Sequence, residues 1–217
     1  MITLSDMGSA LMNVWKKLAT GVLLYLLALP ALAQNILLVG DSISAAFGLE
    51  IRQGWVSLLE ERLAEGDFPH RVVNASVSGD TTAGGLARLP ALLQDARPEL
   101  VIIELGGNDG LRALPVSNMQ QNLSAMVELA QDAGADVILL GMRIPPNYGP
   151  RYTNAFERAF VQVAEQHDIA LVPFLLEGVG GVAGMMQNDG VHPTAAAQAL
   201  LLDNAWSPIS QWLDDIE

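Results

Sequence analysis

The sequence predicts an α/β fold, with a parallel sheet covered on both faces by helices. Three observations lead there. Five short apolar runs rich in β-branched residues recur along the chain. Segments with helical spacing separate them. The strand-like runs are nearly continuously apolar rather than alternating. Strands that alternate with helices imply right-handed βαβ crossovers, and continuously apolar strands belong to sheets buried on both faces.

The strands are expected at Asn35–Val39, Arg71–Ala75, Leu100–Glu104, Asp136–Gly141 and Ile169–Pro173. After the first, Trp55, Leu58, Leu59 and Leu63 fall on one helical face. After the third, Leu123, Met126, Val127 and Ala130 do the same. Phe156, Phe160, Val163 and Ala164 repeat the pattern after the fourth, and Ala195 to Trp212 reads as a final helix. No internal repeat, low-complexity tract or linker interrupts the run, so Gln34 to Glu217 is expected to form one domain.

Ahead of the first strand, Lys16-Lys17 precede an apolar run from Leu18 to Leu29, and Ala31-Leu32-Ala33 follow Pro30. A basic start, a short apolar stretch and an A-x-A site make a signal peptide. The run is shorter than the about 20 residues of a membrane span; the alternative is a buried N-terminal helix. Residues 1–33 are therefore expected to be cleaved near Ala33, leaving a periplasmic or secreted protein without a stable membrane anchor. Met7 and Met12 are alternative starts. Taking Lys16, Lys17 and Asp6 from 11 basic and 24 acidic residues leaves nine arginines against 23 acids, a net charge of −14. Such a surface repels nucleic acid and anionic lipid. The chain has no cysteine, which leaves neither a disulfide nor a lipid-bearing thiol, and a domain of this size can fold without either. A monomer is expected.

In open parallel sheets, ligands sit beyond the carboxyl ends of the strands. Small polar residues cluster there: Gly40-Asp41-Ser42, Ser76 to Thr81, Gly106 to Gly110 and Arg143 to Pro150. Gly40 is expected to let the backbone turn sharply. Ser42 is a possible nucleophile, and a serine needs a base. His70 and His167 fall at the opposite end of the sheet, as solvated or capping residues. His192 remains, with Asp189 three residues before it, a spacing that lets a carboxylate reach imidazole Nδ1. Alone, that spacing also fits a helix N-cap followed by a surface histidine. The Ser42 N–H, the Gly79 N–H and the Asn108 amide are candidate oxyanion donors, although each of these glycine and asparagine positions also suits an ordinary turn. Asp41, Asp80 and Asp109 are expected to fix loops. No phosphate loop or metal-ligand cluster is visible, so neither a cofactor nor a metal is expected. The serine does not sit in a G-x-S-x-G elbow, because Ser44 occupies the last position.

Gly40-Asp41-Ser42, Gly79, Gly107-Asn108-Asp109 and Asp189-x-x-His192 resemble, in order and spacing, the four blocks of the SGNH/GDSL hydrolase family. Val73–Thr81, Gly84–Leu93 and Glu104–Arg112 resemble its periplasmic acyl-CoA thioesterase I, lysophospholipase L1 and arylesterase group. The resemblance implies a flavodoxin-like three-layer α/β/α fold with a five-stranded parallel sheet. It implies a serine hydrolase cleaving acyl esters and thioesters through an acyl-enzyme. The implied roles are Ser42 as nucleophile, His192 as base, Asp189 as its partner, and Ser42, Gly79 and Asn108 as the oxyanion hole. Pro145, Asn147, Tyr148 and Leu175, in apolar segments next to strand ends, are expected to line a small-molecule acyl site; a core role fits them equally. The rivals are a carbohydrate O-acetylesterase and a non-catalytic flavodoxin-like binding module. The short loop that is acidic at Asp41 disfavours a flavin phosphate.

Overall fold

The computed structural model describes residues 35–216. The expected leader lies outside the described residues. Five strands form one parallel sheet in the order β2-β1-β3-β4-β5: β1 Asn35–Gly40, β2 Arg71–Asn74, β3 Leu100–Glu104, β4 Asp136–Leu140 and β5 Ala170–Val172. Each lies within about a residue of the expected span. The central strand β3 is buried at every residue, and β1 from Ile36 onward. The edge strands depart from the expectation. β2 is only four residues long with one of them buried, and β5 only three with one buried, because an edge strand has a neighbour on one side only.

Among the described residues, five α-helices lie between strands and a sixth follows the last: α1 Trp55–Glu65, α2 Thr82–Ala96, α3 Gly107–Leu111, α4 Val116–Asp132, α5 Pro150–His167 and α6 Gln198–Ile216. α1 packs beside α6, while α2, α4 and α5 pack side by side, so both faces of the sheet are covered. The predicted stripes are what they bury. Trp55, Leu59 and Leu63 of α1 are buried one turn apart, Leu123, Met126, Val127 and Ala130 line α4, and Phe156, Phe160 and Val163 line α5. Each fully buried leucine- or phenylalanine-sized side chain contributes about 1.5–3 kcal/mol. The last helix starts later than expected. Ala195–Ala197 form a 3₁₀ turn before α6, which then runs one turn past Trp212.

Two helices differ from the sequence reading. α2 carries Gly84, Gly85 and an internal Pro90, all unfavourable in a helix interior. It forms because Thr81 caps it, its side chain accepting from the Gly84 N–H, and because Leu89 and Leu93 are buried in the core. α3 is a single short helix where a plain turn was expected.

His70 corrects another expectation. It is not solvated: its side chain is 3% exposed and packs edge-on against Trp212, with ring centroids 5.1 Å apart. Its Nε2 lies 3.6 Å from the Glu99 carboxylate. Burial lowers its pKa from 6.5, with Glu99 opposing the shift. His167, half-buried at the end of α5, bonds the Ser124 hydroxyl.

Candidate active site

The site begins where β1 ends. Gly40 does not have the positive φ that a sharp glycine turn would show. Space is the reason for glycine here. A Cβ at this position would lie 2.8 Å from Ser76 Oγ and 2.9 Å from both Glu104 Oε2 and Ser44 Cβ. The backbone passes through a gap that no side chain fits. Beyond it the chain coils tightly: the Ala45 N–H bonds the Asp41 carbonyl and the Phe47 N–H bonds the Ser42 carbonyl, each at 3.0 Å. Ser42 is held there at 8% exposure.

The loop before α6 brings its imidazole to this hydroxyl. His192 Nε2 lies 2.8 Å from Ser42 Oγ, and Nδ1 lies 2.7 Å from Asp189 Oδ2. Asp189 Oδ1 also accepts the backbone N–H groups of Val191 and His192 at 2.9 and 3.0 Å. The His192 N–H, then the imidazole, then the Val191 N–H hold the Asp189 carboxyl down at about 2. It stays ionised at any working pH and fixes the ring with Nδ1 as donor.

Three N–H groups are the candidate oxyanion donors: those of Ser42 and Gly79 and the Asn108 side-chain amide. Gly79 sits in the left-handed region at φ 80°, which glycine adopts without strain. Arg112 Nη2 anchors its carbonyl at 2.8 Å. Among the described residues, no acceptor takes the Ser42 or Gly79 N–H. Asn108 lies in the first turn of α3, where its Nδ2 donates to Asp41 Oδ2 at 2.9 Å. A primary amide has two N–H bonds, so one locks the side chain and the other is free to serve. Asp41 is therefore more than the loop-fixing residue expected from sequence. Its Oδ1 accepts the Ile43 N–H at 3.0 Å, and its Oδ2 orients Asn108. Asp80 and Asp109 do fix loops. Asp80 bonds Arg88 and the Thr81 N–H, and Asp109 bonds both the hydroxyl and the N–H of Thr82 at the start of α2.

Beneath these groups lies a carboxyl that sequence reading took for the last residue of an apolar strand. Glu104 is fully buried. Its Oε2 accepts the Ser44 hydroxyl at 2.7 Å and the Asp41 N–H at 3.3 Å, and Ser44 Oγ in turn accepts the Trp55 indole N–H at 3.2 Å. Burial, and then the Asp41 charge, push the Glu104 carboxyl well above the usual carboxylate range. Burial also raises Asp41, to about 6, against the pull of the Ile43 N–H, His192 and Asn108.

An apolar groove of about 340 Å³ opens beside Ser42, lined among others by Ile43, Leu111, Ile144, Pro145, Phe174 and Val191. Of the four lining residues expected from sequence, only Pro145 faces it. Leu175 is fully buried in the core, and its neighbours Phe174 and Leu176 line the groove instead. Tyr148 bonds the Leu111 carbonyl through its hydroxyl at 2.7 Å and, with Asn147, lies outside the groove lining. Arg143 is the only charged residue in that lining. It pairs with Glu157 at 3.3 Å and Glu177 at 3.1 Å, over the Phe174 ring.

Comparison with known proteins gives a consistent result. The model of the GDSL-like Lipase/Acylhydrolase family matches residues 38–200. The chain is 60% identical over 190 residues to Esterase TesA of Pseudomonas aeruginosa, across 88% of this chain and 94% of that one. It is 40% identical over 173 residues to Thioesterase 1/protease 1/lysophospholipase L1 of Escherichia coli, across 80% and 82% of the two chains. The crystal structure of the psychrotrophic esterase EstA from Pseudoalteromonas sp., inhibited by monoethylphosphonate, matches with a TM-score of 0.80 at 44% identity, over 83% of this chain and 99% of that one.

Proposed function

The chain belongs to the GDSL-like lipase/acylhydrolase family and is a serine hydrolase of carboxylic esters and thioesters, and within that activity we propose that Ser42, His192 and Asp189 are its catalytic residues. The observation that carries the assignment is the unbroken chain from Ser42 Oγ through the imidazole to the Asp189 carboxylate, at 2.8 and 2.7 Å.

Ser42 Oγ attacks the acyl carbonyl carbon while its proton passes to His192 Nε2. The resulting oxyanion receives the N–H groups of Ser42 and Gly79 and the free N–H of Asn108, placed before the charge develops. The bond to the leaving oxygen or sulfur then breaks, and His192 returns the proton to that atom. Water attacks the acyl-enzyme by the same route, with His192 again taking the proton, and releases the acid and Ser42. Asp189 stabilises the imidazolium in both halves. The acyl chain lies in the apolar groove between Ile43 and Pro145, whose lining offers contact area rather than hydrogen bonds.

We also place the mature protein outside the cytoplasm, in the periplasm or medium, as a monomer. The support is the leader pattern ending in Ala31-Leu32-Ala33. Among the described residues no helix is long and apolar enough to cross a membrane.

The test is Ser42→Ala assayed on p-nitrophenyl butyrate. Loss of the nucleophile should remove several orders of magnitude in rate with an unchanged circular dichroism spectrum. A folded variant that keeps more than roughly a tenth of wild-type kcat would sink the assignment.

A further inference from the structure

The mechanism gives each substituent of the reacting carbon a direction. The oxygen points to the three N–H donors. The acyl chain follows the groove. The leaving atom must come within reach of His192 Nε2, because that nitrogen supplies its proton. Whatever is attached to the leaving atom therefore emerges beside the imidazole, away from the groove.

Phe47 stands there. Its ring centroid lies 4.4 Å from that of His192, with the planes tilted by 33°. It is 49% exposed and takes no part in the groove lining. One part of the ring covers the imidazole and the rest faces solvent. The backbone that carries the ring is also held from two sides. On the nucleophile side, the Phe47 N–H bonds the Ser42 carbonyl at 3.0 Å. On the base side, Gln187 Nε2 donates to the Phe47 carbonyl at 2.8 Å and to the Pro193 carbonyl at 3.0 Å. The Gln187 N–H donates to the His192 carbonyl at 2.7 Å. The turn carrying the ring contains Ala46 at φ 56°, a left-handed conformation that costs an L-residue about 1 kcal/mol. Groups held in such conformations cluster at ligand sites. A large apolar surface, fixed and half open to water next to the proton donor, is pre-organised to receive a second flat apolar surface.

We propose that Phe47 is the leaving-group platform of this enzyme, and that it selects esters and thioesters whose departing group is a planar aromatic alcohol or thiol. The ring of a departing phenol or naphthol stacks on the open part of Phe47 while its oxygen takes the proton from His192. The inference rests on the assignment of His192 as the base. It goes beyond it by specifying the half of the substrate that the groove does not hold. Gln187 is the positioning residue that ties the platform to the base loop.

A matched set of butyrate esters tests it. All pass through the same butyryl-enzyme and differ only in the departing group: 2-naphthyl, phenyl, cyclohexyl and ethyl. For each ester, kcat/KM of the variant is divided by that of wild type, which cancels the ester's own reactivity. A disturbed His192 would slow the alkyl esters more, because their more basic leaving oxygens depend more on its proton, and so would raise the aryl-to-alkyl ratio, opposite to the loss expected from Phe47. Phe47→Ala should lower the aryl-to-alkyl ratio about tenfold, the scale of a stacked aromatic contact. Phe47→Leu, of similar bulk but not planar, should lower it nearly as far, and Phe47→Trp should preserve or raise it. The decay of the common butyryl-enzyme, followed by stopped flow, should not depend on which ester formed it. An aryl-to-alkyl ratio that stays within twofold in Phe47→Leu, or that falls tenfold in Phe47→Trp, would overturn the proposal, even if Phe47→Ala does not fold. Retained turnover in His192→Ala would instead remove the assignment of the base, a separate failure.

Discussion

Glu104 offers the sharpest test of how this site is built. Its carboxyl is completely buried below the nucleophile's turn, with Oε2 receiving the Ser44 hydroxyl and the Asp41 N–H and Oε1 partnered by nothing among the described residues. A charge in that position would lack compensation, so the folded protein holds the acid neutral. Two substitutions separate shape from charge. Glu104→Gln keeps an oxygen for both donors and removes the ionisable proton. Glu104→Ala orphans both donors at about 1–3 kcal/mol each and leaves a cavity besides, for a total of about 4 kcal/mol. At about 2–4 °C per kcal/mol for a domain of this size, the alanine variant should melt about 8–16 °C below wild type, and the glutamine variant should stay close to wild type at pH 5. The pH dependence carries the argument. A carboxyl whose folded pKa is raised binds a proton in the folded chain after the unfolded chain has lost it. Its stabilising contribution is full below the ordinary value of 4.5 and is lost as pH rises through the folded pKa. Over that window wild type should lose up to about 1.4 kcal/mol per pH unit relative to Glu104→Gln, or about 3–6 °C per unit in Tm. Calorimetry of both proteins from about pH 5 to 8 reads it directly. A constant difference in Tm across that range would mean that Glu104 carries no proton in the folded state, and the reasoning would fall.

Two further outcomes follow from the same geometry. Asn108→Ala should lower kcat by about 10²–10³ with a smaller change in KM, since its free N–H matters most once the oxyanion forms; steady-state kinetics showing a raised KM at unchanged kcat would reassign Asn108 to substrate binding. His70, whose folded pKa lies below 6.5 through burial, contributes stability that is present above 6.5 and lost as pH falls through its folded pKa, because only the unfolded chain readily takes the proton. His70→Phe should therefore melt progressively higher relative to wild type as pH is lowered from 6.5, and parallel melting curves would contradict the burial of a neutral ring.

Much of this was legible in the sequence, for identifiable reasons. β1, β3 and β4 are apolar because both their faces are covered, and Ser42 and Asn108, the proposed nucleophile and oxyanion donor, follow the carboxyl ends of β1 and β3, while Asp189 and His192 come from the loop before α6. What the sequence hid depends on contacts between distant positions. Phe47 and Gln187 stand 140 residues apart and carry no shared motif. Glu104 closes an otherwise apolar strand, so nothing local marks it as a partner of Ser44. α2 was obscured by Gly84, Gly85 and Pro90, which argue against a helix that tertiary packing nevertheless imposes. The groove failed by one position. After β5 the backbone direction decides which of Phe174, Leu175 and Leu176 turns outward, and apolar character alone cannot tell neighbours apart.

The paired state of Arg143 bears on how the catalytic cycle ends. Each turnover converts an uncharged ester into a carboxylate at the head of the groove. The only cation in the groove lining is already engaged by Glu157 and Glu177, so the local set carries one excess negative charge, within a described chain that is itself strongly acidic. Once clear of the oxyanion donors, an acid anion in the groove meets no unpaired cation in the described lining, only the net negative charge around Arg143. Apolar walls of this kind therefore suit the uncharged acyl chain of an ester better than the charged acid that hydrolysis makes of it.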